Sequence, residues 1–236
     1  MAKPVILLVP GAWHTPAHFS RLTAELEIAG YTCIGIDLPS NTRHSPDRHG
    51  RLISIDDDTA AVHQAILQQL EEAGRDVLVV THSYGSIPGL AALDFVKDTV
   101  PTAAKRSSKV LGVVVISGFL LPASSTMLEC MGGKLPPQYL LEDNLTLPFA
   151  GPGAMEILSH DLPINDALKA VWQLEPQSYG VNTCALPDQL AGLKGVTISY
   201  LMCKDDHAVP WEVQVATVNG SKSVGFEVRA EIAQSG

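Results

Sequence analysis

The sequence predicts an α/β protein: a mostly parallel central sheet of about six strands, helices on both faces, and a helical cap inserted late in the chain. Three observations carry this. Short, near-continuous apolar runs recur, as expected of strands buried on both faces. Segments with helical spacing of apolar residues separate those runs. Between residues 121 and 190 the regular alternation breaks, and proline, glycine, methionine and short helical pieces replace it.

The bulk numbers agree with one large domain. The chain has 236 residues, 46% of them hydrophobic and 17% charged, apolar enough for a sizeable core. Residues 1–120 and 191–236 are assigned to that core and residues 121–190 to the cap. The net charge of −9 argues against nucleic acid or an anionic membrane as the main partner. A small-molecule substrate is the expected partner, and a homodimer stays open. The opening MAKPVILLVPGAW holds too short an apolar run to span a bilayer, with no cleavage site after it. Cys33, Cys130, Cys184 and Cys203 are scattered without a C-x-x-C pair. Free thiols in a reducing, cytoplasmic setting are the expectation, rather than disulfides or a metal site.

The elements follow in order. VILLV at residues 5–9 is a first buried strand. PAHFSRLTAELEIAG is helical, with Phe19, Leu22 and Leu26 on one face and Gly30 as its stop. TCIGIDLPS is the second strand, and SNTRHSPDRHGR a polar surface loop. IDDDTAAVHQAILQQLEEAG is a strong helix with Val62, Ile66 and Leu70 as its apolar stripe. Asp56, Asp57 and Asp58 suit the positive end of its dipole and are expected to be a solvated helix start rather than a metal cluster. DVLVVTHS is the third strand, followed by the helix IPGLAALDFVKDTV, where Pro88 falls in the first turn. KVLGVVVISG, VTISYLMCKD and VGFEVRAEI are the fourth, fifth and sixth strands, the last partly alternating and so placed near an edge. ALKAVWQLEPQS is the clearest helix of the cap.

Three loops at strand ends carry the chemistry. THSYG, residues 81–85, stands between a buried strand and a helix, the setting of a nucleophile elbow. Ser83 is the candidate nucleophile, and the alternative reading makes it a helix N-cap. VPGAWH follows the first strand, and Gly11 allows close backbone approach there. The amides of Ala12 and Tyr84, one from each loop, would form an oxyanion hole. His14 and His18 are spaced like metal ligands, but Pro16 interrupts the segment and no third ligand is evident, so no metal is expected. CKDDHAVPW follows the fifth strand, and Asp206, ahead of Asp205, is the candidate acid that orients a base; ordinary surface acids are the alternative. The first strand is followed by no G-x-G-x-x-G and no P-loop lysine, and no cofactor is expected.

VPGAWH, GYTCIGIDLPS, VVTHSYGSIPG and YLMCKDDHAVP, in this order, resemble the α/β-hydrolase superfamily. The resemblance lies with its compact branch of plant methylesterases, hydroxynitrile lyases and their fungal and bacterial relatives. It covers most of the chain outside the cap. It implies Ser83 as nucleophile, Asp206 as acid, Ala12 and Tyr84 as oxyanion donors, and a sheet lacking the superfamily's first two strands. Two positions depart from it. Thr81 stands where glycine is usual, and the histidine that follows the last strand in relatives has no counterpart after His207.

Three expectations follow from that second departure. The native chain continues past Gly236 with its histidine, or the enzyme works without it, or the protein is a small-molecule receptor. Among the other histidines, His82 adjoins the serine but should point away from its pocket. His207 would need a rearranged loop, and His14 sits at the pocket mouth as a proton donor. With a base, the expected activity is that of a serine esterase or lactonase. A serine nucleophile argues against the aspartate-based epoxide hydrolase and dehalogenase chemistries of this superfamily. Lyase chemistry would use a lysine beside the acid, and Lys204 is near in sequence. Met127, Met131, Tyr139, Phe149 and Trp172, with Phe119 before them, either fill a small core of the cap or line the pocket. They suggest a mid-sized, largely apolar ester, lactone or polyketide-like substrate.

Overall fold

A computed structural model describes residues 3–98, 108–121, 123–137, 139–148, 152–193 and 195–234. The elements in chain order are β1 (Val5–Val9), α1 (Ser20–Ile28), β2 (Thr32–Gly35), α2 (Ile55–Leu67), β3 (Val77–His82), α3 (Ser86–Asp98) and β4 (Val110–Ile116). Then come α4 (Met127–Cys130), β5 (Tyr139–Glu142), β6 (Leu145–Pro148), α5 (Pro152–Leu158), α6 (Ile164–Trp172), β7 (Gln177–Ser178) and α7 (Gly180–Thr183). The chain closes with β8 (Thr197–Cys203), α8 (Trp211–Ser223) and β9 (Val228–Ala233).

Six strands form one sheet in the order β2-β1-β3-β4-β8-β9, and every pairing in it is parallel. Its central strands are β-branched and apolar, the composition that suits a pleated surface covered on both sides. The alternation of side chains divides them between two faces. Val5, Leu7, Val9, Val77 and Val79 pack in one cluster with Val62, Ile66, Ile87 and Leu90 of α2 and α3. Ile6, Leu8 and Val80 pack in the other with Phe19 and Leu26 of the α1 segment. Leu22, expected on the same buried face, is 36% exposed. β9 is an edge strand, as its alternation suggested.

The segment between β4 and β8 holds the four helices α4 to α7, and also a three-stranded antiparallel sheet, β5-β6-β7, that composition did not signal. Its strands are only two to four residues long, too short to give a period. An isolated bridge from Asn41 to Gln177 ties this small sheet to the loop after β2. Among the described residues no helix is long and apolar enough to cross a membrane.

Candidate active site

The parallel order brings the carboxyl ends of β1, β3 and β8 to one rim, where ligands bind in open α/β sheets. There the three loops meet. Ala12, Ser83, Tyr84 and Asp206 all line one cavity of about 470 Å³. Lys204 and Asp205 are exposed and are not among its lining residues, so of the two adjacent aspartates Asp206 is the one that lines the cavity.

Ser83 sits at φ +48°, in the left-handed region that a non-glycine residue seldom adopts. The tight fit around it explains how the turn is held. A Cβ on Gly85 would stand 2.3 Å from the Pro10 carbonyl oxygen, so the elbow lies directly on the end of β1. Ser86 Oγ accepts from the Phe119 amide at 2.7 Å and donates to the Ser83 carbonyl at 2.8 Å. Thr81 is accommodated from the opposite side. Its methyl would lie 2.5 Å from a Cβ on Gly89, so the glycine in the first turn of α3 makes room for the β-branched residue.

The loop after β1 is pinned by Asn41, which pattern reading missed. Its Nδ2 donates to the carbonyls of Gly11 at 3.1 Å and His14 at 2.7 Å, and its Oδ1 accepts from the Trp13 amide at 3.0 Å. Trp13 adopts φ +64° under this clamp, its indole donating to the Thr146 carbonyl at 3.1 Å. Nothing in the polar run around Asn41 distinguishes it from its neighbours, so no sequence signal could have found it.

Tyr84 is anchored through its side chain. Its hydroxyl donates to Asp58 at 2.6 Å. The same carboxylate accepts from Ser40 Oγ at 2.6 Å and from the Ser40 amide at 2.8 Å. This corrects the reading of the helix start. Asp56 is exposed and Asp57 is paired with Arg51 at 2.7 Å, but Asp58 is fully buried. Burial raises its carboxyl to about 6, against the opposing pull of those donors. Burial likewise pushes the Tyr84 phenol well above its ordinary value.

Asp206 Oδ1 accepts the amides of Ala208 and Val209 at 2.8 and 2.9 Å, which holds the acid loop in a turn. Its Oδ2 accepts from Ser117 Oγ at 2.5 Å, and Ser117 itself sits at φ +44° just past β4. Among the described residues no imidazole is hydrogen-bonded to Asp206. The last sheet pairs, Met202 with Ile232 and Cys203 with Ala233, bring the end of β9 alongside this loop. That is where the resemblance places a histidine.

The histidines are redistributed relative to expectation. His82 was expected to point away, yet it lines the cavity beside Ser83. A Cβ on Gly11 would lie 3.0 Å from its Nδ1 and 3.1 Å from Ser83 Cβ, so the loop glycine admits the ring. His14 also lines the cavity; its ring centroid is 5.4 Å from His82 and 4.5 Å from His18. Burial holds His14 well below its ordinary value, with His82 and His18 adding to the effect, and burial also lowers His82 despite the nearby charge of Asp206. Both rings are therefore neutral near pH 7. His14 Nδ1 lies 2.7 Å from the Ala12 carbonyl; donation there leaves its Nε2 as an acceptor. His207 lines the cavity as well, its Nδ1 2.8 Å from the Glu156 carbonyl and its ring stacked on His160 at 3.7 Å. Among the described residues no group of three His, Cys, Asp or Glu side chains is arranged for a metal ion.

Met127, Met131, Tyr139 and Phe119 line the cavity, with Asn182 and Gln177 as polar exceptions. Trp172 does neither of the things expected of it, being 85% exposed on α6. Phe149 lies outside the described residues.

A model of the alpha/beta hydrolase family matches residues 6–231. The chain belongs to the alpha/beta hydrolase family. Two fungal relatives match over most of their length. "Alpha/beta hydrolase nvfD" of Aspergillus novofumigatus is 27% identical over 91% of this chain and 83% of that protein. "Probable hydrolase R7" of a Phoma species is 26% identical over 97% and 88%. Among solved structures, polyneuridine aldehyde esterase superposes with a TM-score of 0.73 at 18% identity, over 99% of this chain and 91% of that one. A pyrethroid hydrolase from Sphingobium faniae JZ-2 gives 0.72 at 16% identity, over 98% and 89%. At these identities the structural likeness is one of fold.

Proposed function

We propose that this alpha/beta hydrolase is a serine carboxylic-ester hydrolase of the methylesterase-like branch, acting on a mid-sized, largely apolar ester or lactone. The observation that carries the reading is Ser83, strained at φ +48° on the turn between β3 and α3, opening into a largely apolar cavity that Asp206 shares. Ser83 Oγ attacks the carbonyl carbon, and the oxyanion forms between the amides of Ala12 and Tyr84. The serine proton passes to a neutral imidazole and from it to the leaving alcohol. Water then clears the acyl-enzyme by the same route. The base is one of the cavity imidazoles, His14, His82 or His207; kcat/KM in variants of each separates these. The segment 121–190 serves as a cap, supplying the apolar wall that selects the acyl group and excludes water.

Turnover of p-nitrophenyl esters of graded acyl length tests the proposal. A medium-chain optimum is expected, with Ser83→Ala reducing kcat by at least about 10³. A Ser83→Ala protein of undiminished activity refutes the site assignment.

One observation favours a second reading, that of a receptor. Asp206 Oδ2 is already engaged by Ser117, and no described imidazole bonds to it. A receptor would turn over no ester, and Ser83→Ala would leave its ligand affinity nearly intact.

A further inference from the structure

Gln214 shows how a buried side-chain amide can be fully paired with the backbone in this protein. Gln214, fully buried, spends its Nε2 on the carbonyls of Cys203 and Val209 at 2.8 Å each, and its Oε1 on the Cys203 amide. Asn182 is different. It is 3% exposed, it lines the cavity that contains Ser83, and its Nδ2 reaches no acceptor among the described residues. Its neighbours in that wall include Val181, Met127 and Met131, which offer no strong acceptor.

Asn182 is not free to turn elsewhere. It sits on α7, which packs on α4. Its amide donates to the Tyr179 carbonyl at 3.0 Å. A Cβ on Gly180 would stand 2.3 Å from the Ile53 carbonyl oxygen, so the start of α7 lies hard against the loop before α2. Leaving a buried donor unpaired is costly. A ligand site made of an apolar wall and a few fixed polar groups is the arrangement in which such a donor is repaid by the ligand.

We propose that Asn182 is a substrate-anchoring residue whose amide donates to an acceptor oxygen, a ketone, ester or ether, borne by the substrate away from the carbonyl that Ser83 attacks. The inference rests on the ester-hydrolase reading of the cavity and narrows its substrate class. The preferred substrate is an oxygenated acyl compound, with a plain hydrocarbon chain the poorer fit.

The test uses p-nitrophenyl esters of C6 to C10 acids with a ketone at successive chain positions, each beside its unsubstituted parent. The wild-type protein is expected to favour one keto position over the parent by about tenfold in kcat/KM, the worth of one neutral hydrogen bond. Asn182→Leu and Asn182→Ala are expected to bring that ratio to about one. Because both esters meet the same protein sample, the ratio does not depend on how much of a variant is folded. No preferred keto position in the wild type, or a preference that survives in both variants, overturns the proposal. The same ratio is read as Kd by tryptophan quenching in Ser83→Ala, which needs no turnover, Trp13 being in the cavity wall. A keto preference there, lost with Asn182, beside a wild type that hydrolyses nothing, defeats the hydrolase reading and leaves the anchor standing. Equal affinities there defeat the anchor.

Discussion

The phenol of Tyr84 donates to the carboxylate of Asp58 at 2.6 Å, joining the residue after Ser83 to the first turn of α2. Ser40 completes the set, and its carbonyl accepts from the Ser178 amide at 2.8 Å on the small sheet of the insertion. The elbow is thus braced from behind by a buried polar chain that runs out to the cavity wall.

Breaking the brace should cost both stability and rate. Asp58→Ala strands the Ser40 and Tyr84 donors and is expected to destabilise the fold by about 3 kcal/mol. Tyr84→Phe removes one bond and should cost about 1 kcal/mol. If the Tyr84 amide serves the oxyanion, Tyr84→Phe lowers kcat severalfold with KM nearly unchanged. Urea denaturation and steady-state kinetics on the same preparations check both.

The pH dependence of stability carries the signature of Asp58. Its carboxyl is raised from 3.8 to about 6 by burial. The folded state therefore holds more protons than the unfolded state between those values, and this contribution to stability is lost as pH rises through about 6. Asn in its place does not titrate. The Tm of the wild type minus that of Asp58→Asn is expected to fall as the pH is raised from 4 to 7. A difference that stays flat contradicts the assignment.

His14 and His82 act in the opposite sense. Burial lowers both from 6.5, so the unfolded state takes up protons first as the pH drops, and stability falls below about pH 6.5. His14→Leu should shallow that loss. If either ring is the base, kcat/KM retains its plateau to below pH 6.5, and replacing that ring removes the acidic limb.

Asn41 makes a further prediction. Its side chain holds the Gly11, Trp13 and His14 backbone through three hydrogen bonds. Asn41→Ala should cost about 2 kcal/mol and lower kcat at least tenfold, by loosening the Ala12 amide rather than by touching substrate. Asn41→Asp, whose second oxygen would face the Gly11 and His14 carbonyls with no proton to donate, should cost at least as much as Asn41→Ala.

The legible parts of this fold were those written locally. VILLV and DVLVVTHS read as buried strands because every residue in them is constrained by two covered faces. That Ser83, Ala12 and Asp206 would meet at one cavity was legible because each lies just past a strand, and a parallel sheet gathers strand ends. Partnerships across the chain were not legible. Asp58 looked like its two acidic neighbours, and only the packing of α2 against α3 decides that it turns inward to meet Tyr84. His82 looked excluded by its place in the elbow; the absence of a side chain on Gly11 is what lets its ring into the cavity. The strands β5 to β7 are too short to show a period, and Trp172 shows that an aromatic residue on a strongly amphipathic helix can face outward.

The most direct test of the central claim is intact-mass analysis after treatment with a fluorophosphonate, followed by peptide mapping. The account predicts a single adduct on Ser83, absent in Ser83→Ala and slowed in Asn41→Ala. A protein that takes up no probe, or carries it on a residue other than Ser83, would contradict it.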